Sequence, residues 1–171
     1  MEEGAKYALG DVQMVGDQLP VDAMLKAAKF RKGEPANWTE IQNSLWELEK
    51  PVKRLGYLNA SAKAQRILRD NLQDNQRDDQ RVLDLRISMN LGPLYKFGQL
   101  QITGLTPNLE AQARKIWSLK TGDPFDYDYP KDFFRDFFRS VDSHQFNKFT
   151  VKMQKGAGEN VMDFALAFEP R

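Results

Sequence analysis

Asp142, Ser143 and His144 stand side by side, and His144 is the chain's single histidine. A carboxylate, a nucleophile and a base are the parts of acyl-transfer catalysis, but they work only when separate segments converge on one point. Adjacent residues at a helix end cannot converge in this way, so an exposed or capping His144 is expected. Asp123, Asp126 and Asp128 concentrate negative charge. They lack the Asp-x-Asp-x-Asp-Gly spacing that wraps a calcium ion, and turn or helix N-terminal carboxylates are the expected roles. Gly156-Ala157-Gly158 has no third glycine three residues on, so it reads as a hairpin turn and not as a dinucleotide loop. With no cysteine there is no thiolate nucleophile, disulfide or Cys-ligated metal. No catalytic residue, cofactor-binding residue or metal ligand is therefore assigned, and the expectation is a chain that is not an enzyme.

If chemistry does not organise the chain, packing must. Of its 171 residues 41% are hydrophobic and 29% charged, with 3 Trp, 11 Phe and 5 Tyr to supply buried surface. Mean hydropathy is −0.63, a polar but foldable balance. The net charge of +1 sets up no strong field for nucleic acid or an anionic membrane. No stretch approaches the roughly eighteen consecutive apolar residues of a spanning helix.

The chain repeats itself. At an offset of 88, Tyr7, Gly10, Gln13 and Gly16 meet Tyr95, Gly98, Gln101 and Gly104. At 89, Gly33-Glu34-Pro35 meets Gly122-Asp123-Pro124, and Leu45, Leu48 and Val52 meet Phe134, Phe137 and Val141. The same offset carries Tyr57, Lys63 and Gln65 onto Phe146, Lys152 and Gln154. At 79, Val82 and Asp84 meet Val161 and Asp163, with the neighbouring apolar residues in matching parity.

Each copy reads as β-α-α-β-β. Alternation marks strands at 7–15, 57–68 and 82–91 in the first copy, and at 95–103, 146–154 and 161–168 in the second. In the strand 82–91, Leu83, Leu85, Ile87, Met89 and Leu91 share one face and Asp84, Arg86, Ser88 and Asn90 the other, so one face of the sheet is covered and one wet. Val21, Met24, Leu25 and Ala28 mark a short helix; Trp38, Ile41, Leu45, Leu48, Val52 and Leu55 mark a longer one. Pro51 predicts a kink or break in it, and Gly56 its C-cap. The second copy has helices at 108–119 and 130–142. Its Phe133, Phe134, Phe137 and Phe138 are wider than one core stripe, so Phe133 or Phe138 is expected at a surface. The copies give domains at 1–92 and 93–171, joined by the short Leu91-Gly92-Pro93-Leu94. Leu72 is the sole apolar residue of the 69–81 tract, which is expected as an exposed hairpin extension, a contact loop for a partner or lipid head groups being the alternative role.

Leu55-Gly56-Tyr57, Asn90-Leu91-Gly92-Pro93, Tyr95-Lys96-Phe97-Gly98 and Ile102-Thr103-Gly104, in this order, resemble the POTRA (polypeptide-transport-associated) family, as does Thr121-Gly122-Asp123-Pro124-Phe125 between the helices. The resemblance spans essentially the whole chain as two tandem copies. Two positions depart from the pattern: Ala36 stands where the second copy has Phe125, and Ser143-His144-Gln145-Phe146 replaces the family's Gly-Tyr-Phe joint. The resemblance implies an α+β fold, each domain a three-stranded mixed sheet with two antiparallel helices on one face and the last strand central. It also implies the periplasmic face of the bacterial outer membrane, within a protein of barrel assembly or polypeptide export. A barrel or further copies are then expected beyond Arg171.

If the second strand of each copy is an edge, an extended chain can add to it through main-chain bonds that are largely indifferent to sequence. Ala60, Ser61, Ala62, Lys63 and Ala64 in the first copy, and Thr150, Val151 and Lys152 in the second, are the candidate binding residues. The expected partners are unfolded or extended polypeptide clients and periplasmic or outer-membrane assembly proteins. Lys63, Arg66 and Lys152 carry the opposite implication, since such charges also protect edges. Two alternatives are a scaffold of cell-envelope or division proteins and an α/β nucleic-acid binder. The latter lacks interleaved basic and aromatic residues on its open face, and no nucleic acid is expected.

Overall fold

In the computed structural model, residues 7–16, 21–28, 30–69 and 81–171 are described; the 70–80 part of the expected hairpin extension lies outside them. The elements are β1 (Tyr7–Val15), α1 (Val21–Ala27), α2 (Trp38–Arg54), β2 (Ser61–Arg69), β3 (Arg81–Asn90), β4 (Lys96–Thr103), α3 (Pro107–Ile116), α4 (Tyr129–Ser140), a 3-10 turn (Ser143–Gln145), β5 (Phe146–Lys155) and β6 (Val161–Pro170). They fall into two compact units, one of Met1–Pro51 with Ala60–Leu91, the other of Val52–Asn59 with Gly92–Arg171.

Each unit holds a three-stranded mixed sheet, ordered β1-β3-β2 and β4-β6-β5. The first strand runs parallel to the last, and the hairpin is antiparallel. The last strand is central, as its apolar alternation requires. Leu83, Leu85 and Ile87 of β3 are buried, and so are Phe164, Leu166 and Phe168 of β6. Ile41, Leu45 and Leu48 recur on one stripe of α2 and are buried in the first unit; Phe133, Phe134 and Phe137 of α4 are buried in the second.

A duplicated device anchors each parallel pair. Pairing shifts between Leu9 and Val12 in the first sheet and between Phe97 and Leu100 in the second. A bulge leaves a main-chain donor without its ladder partner. Here the Asp84 carboxylate accepts the Asp11 N–H at 2.7 Å, and Asp163 accepts the Gln99 N–H at 2.8 Å. Only glycine leaves room for this: a Cβ on Gly10 would lie 2.1 Å from Asp84 Oδ1, and one on Gly98 2.3 Å from Asp163 Oδ1.

The segment between the helices then folds back onto the outer side of the first strand. Leu9 N–H donates to Glu34 O and Ala36 N–H to Tyr7 O, while Phe97 N–H donates to Asp123 O and Phe125 N–H to Tyr95 O. The start of β1 and of β4 is thereby covered.

Three expectations need correction. The helix is not broken at Pro51 but runs a further turn to Arg54, because proline in a last turn costs one donor while later residues still bond; Gly56, at φ +96°, follows it. The strand expected at 57–68 begins only at Ser61. The offset of 89 also fails in the hairpin: Lys63 pairs with Ser88 and Thr150 with Ala167, so Lys63 corresponds to Thr150, two residues from the sequence alignment. A two-residue slip keeps side-chain parity, which is why alternation could not detect it.

Candidate polypeptide-binding edges

In an antiparallel ladder alternate residues of an edge strand turn both main-chain groups outward. Glu49 reveals which they are in the first unit. Its Oε1 accepts the Ala62 N–H at 2.9 Å, so Ala62 faces away from β3, and with it Ala64, Arg66 and Leu68. In the second unit Gly156 N–H donates to Val161 O across the hairpin, which turns Gln154, Lys152 and Thr150 inward and leaves Met153, Val151 and Phe149 outward.

This divides the candidate residues. Ser61, Lys63, Thr150 and Lys152 spend their main-chain groups on the central strand. Ala62 faces outward but its donor is held by Glu49. Ala60 precedes β2 and is 2% exposed, so it is not on the edge. Ala64 and Val151 are the members of the set that present outward groups, and the continuing outward positions are Arg66 and Leu68, Phe149 and Met153.

Side chains follow the same alternation. Phe149, Val151 and Met153 share the helix-covered side of their sheet, yet are 47%, 38% and 52% exposed. Phe149 lies 4.6 Å from Phe134 and 5.2 Å from Phe138, between ring centroids, so the apolar row continues onto α4. Of the two phenylalanines expected at a surface, Phe133 is core, and Phe138 is the half-buried one beside this row.

No family model matches the chain, and no curated relative matches it. Solved structures do. POTRA3–5 of BamA from Haemophilus influenzae superposes with a TM-score of 0.60 at 13% identity, over 98% of this chain and 63% of that one. BamA from Haemophilus ducreyi lacking POTRA domains 1–3 gives 0.64 at 15%, over 96% and 30%. POTRA1–2 of the periplasmic domain of Omp85 from Anabaena gives 0.50 at 10%, over 95% of both. The chain has the fold of tandem POTRA domains. It spans under two thirds of the length of either BamA structure.

The remaining polar residues serve this POTRA fold locally. His144 is 84% exposed, with Nδ1 2.8 Å from Asp142 Oδ1. The same carboxylate accepts the His144 N–H, and these contacts hold its pKa below the usual aspartate value. Asp123 accepts the Lys120 N–H in a turn. Asp126, which accepts the Asp128 N–H, also pairs with Arg54 at 2.7 Å, raising the guanidinium pKa. Gly156 lies in the β5–β6 hairpin turn.

Sequence reading missed Phe149 and Met153, although the period-two signal was present: Phe149, Val151 and Met153 alternate with Thr150 and Lys152. What it lacked was the ladder phase, which comes from Glu49 and Gly156.

Proposed function

We propose that this chain is a non-enzymatic binding and scaffold module of an outer-membrane barrel-assembly or polypeptide-export protein, working on the periplasmic side and taking up extended clients by strand addition to β2 and β5. The observation that carries the proposal is the coincidence, on β5, of outward main-chain groups with the exposed Phe149, Val151 and Met153. Main-chain bonding gives affinity for any extended chain, and the apolar row adds a preference for alternating apolar residues. The opposite edges are less open, because the interhelical segments already bond to the start of β1 and β4.

The test exploits the ladder phase. Proline is tolerated in an edge strand where the lost N–H faces solvent. A chain carrying both Ala64→Pro and Val151→Pro is therefore expected to keep its circular dichroism spectrum. It should bind a labelled, capped nonapeptide of alternating Ser and Thr with a central Phe at least about tenfold more weakly, through loss of outward donors. Parent-like affinity in the folded double variant would rule out strand addition at these edges.

A further inference from the structure

The two units differ where Ala36 stands against Phe125, and a cavity opens beside Ala36. Phe125 and Ala36 occupy the same place: each follows the proline bridged to the first strand, and each donates its N–H to the carbonyl of a tyrosine, Tyr95 or Tyr7. In the second unit the Phe125 ring is fully buried. It stacks on Phe164 at 4.6 Å in a cluster with Phe97, packed by Tyr95, Tyr127 and Met162. In the first unit the counterparts of these residues are Leu85, Leu9, Tyr7, Trp38 and Leu83. They do not close over Ala36. A cavity of about 310 Å³ opens instead, lined by Tyr7, Ala36, Trp38, Ile41, Leu68 and Leu83, with Arg66 at its rim.

We infer that this pocket is a binding site for an aromatic side chain, supplied by an extended polypeptide lying along β2. Three observations select that occupant. The internal duplicate carries a phenylalanine at the position of Ala36, packed by Tyr95, Tyr127 and Met162, the counterparts of the Tyr7, Trp38 and Leu83 that line the pocket. The volume is ample, since apolar cavities on the order of 150 Å³ already hold a benzene ring. The rim is complementary in charge: the Arg66 guanidinium lies 4.4 Å from the Trp38 ring, is exposed, and has no carboxylate partner among the described residues, so an incoming ring's negative face has a cation to meet. Arg66 and Leu68 are also outward-facing positions of the β2 ladder. A strand added there projects alternate side chains onto the side of the sheet on which the pocket opens. The inference rests on the strand-addition reading for the source of the ring, but not for the pocket's chemistry.

The experiment compares the Phe nonapeptide with a twin carrying Ala at the centre, and uses toluene as a free probe while the Ala36 methyl signal is followed by NMR. The parent chain is expected to bind the Phe peptide about tenfold or more tightly than its twin. In a chain whose β5 edge is closed by Val151→Pro, Ala36→Phe should abolish that preference while leaving the twin's affinity unchanged. Leu68→Lys, at the exposed mouth, should reduce the preference without touching the interior. Toluene should shift the Ala36 methyl in the parent chain. If neither peptide binds but toluene shifts Ala36, the pocket stands and strand addition fails. Equal affinity for both peptides in the parent chain overturns the pocket and leaves strand addition intact. A toluene-silent Ala36 overturns it as well. So does a nuclear Overhauser contact between Ala36 and Leu72 in the ligand-free chain, which would identify an internal occupant.

Discussion

The first and second units build the same sheet from the same main-chain devices and then fill it differently. Both use a bulge glycine against an aspartate of the central strand, and both fold the Gly-acid-Pro segment back on the first strand. The second unit packs this frame with Phe97, Phe125 and Phe164, and carries Phe149 and Met153 where the first has Ala62 and Arg66. The first unit has Leu9 and Leu85 inside, a half-buried Ala36 in place of Phe125, and a charged cluster of Asp11, Lys32, Arg69 and Asp84 outside. The comparison separates what defines the fold from what is free to vary. Backbone closure at the bulge is common to both, while volume at position 36 or 125 and polarity along the hairpin edge are not. One unit carries an exposed apolar row along its edge strand, and the other carries a pocket.

The largest expected effect comes from erasing the difference inside the second unit. Phe125→Ala removes a fully buried ring stacked on Phe164 and should cost about 3–5 kcal/mol. Hydrogen exchange of β6 amides is expected to accelerate accordingly while that of β3 stays near its original value. Equal acceleration in both strands would mean that the units unfold as one. Next come the shared bulges. Gly10→Ala and Gly98→Ala each push a methyl into the aspartate that satisfies the bulge donor, at about 2–3 kcal/mol. Thermal melts should place the two variants within about 1 kcal/mol of each other, a spacing close to ordinary mutational scatter; a much larger gap would show that only one bulge is structural. Smaller again is Ala36→Phe, read here as stability. Placing a ring beside the cavity, at the position where the duplicate carries one, should add about 0.5–2 kcal/mol, seen as slower β3 exchange. Destabilisation instead would show that Trp38 and Leu83 cannot make room for the ring.

Much of this contrast was legible in the chain. Period-two and period-three-to-four spacing placed the elements and their core faces, because burial on one side writes itself into alternate residues. The internal repeat paired Gly10 with Gly98 and Asp84 with Asp163, and marked Ala36 against Phe125. What each pair does was not legible, since the Asp84 carboxylate meets a donor 73 residues away. Ala36 registered as a departure from a pattern; the pocket needs Tyr7, Trp38, Leu68 and Leu83 brought together from three strands and a helix. The edge residues suffered most. Alternation gives parity but not ladder phase, and phase is set by a Glu49 contact from α2 and a hairpin bond at Gly156.

The last contrast is electrostatic and the smallest. Around the first bulge, the hydrogen bond from Lys32 is the main cause that lowers the Asp11 pKa below the ordinary 3.8, and the one from Arg69 is the main cause for Asp84. A carboxylate with a lowered folded-state pKa contributes stability that is fully present above its unfolded value and is lost as pH falls through the folded one. The first bulge should therefore loosen as pH drops below about 3.8. Both groups are solvent-screened, so the change is modest and salt-sensitive. Arg69→Gln removes a guanidinium that bonds both carboxylates. It should shift the acid loss of β3 amide protection to higher pH while reducing protection only slightly at neutral pH. At the second bulge Asp163 accepts the Gln99 N–H, and no guanidinium among the described residues bonds it. The acid profile of β6 amides is thus expected to be indifferent to Arg69→Gln, and a matching shift in β6 would mean that the charged cluster acts on the chain as a whole and not on its own bulge.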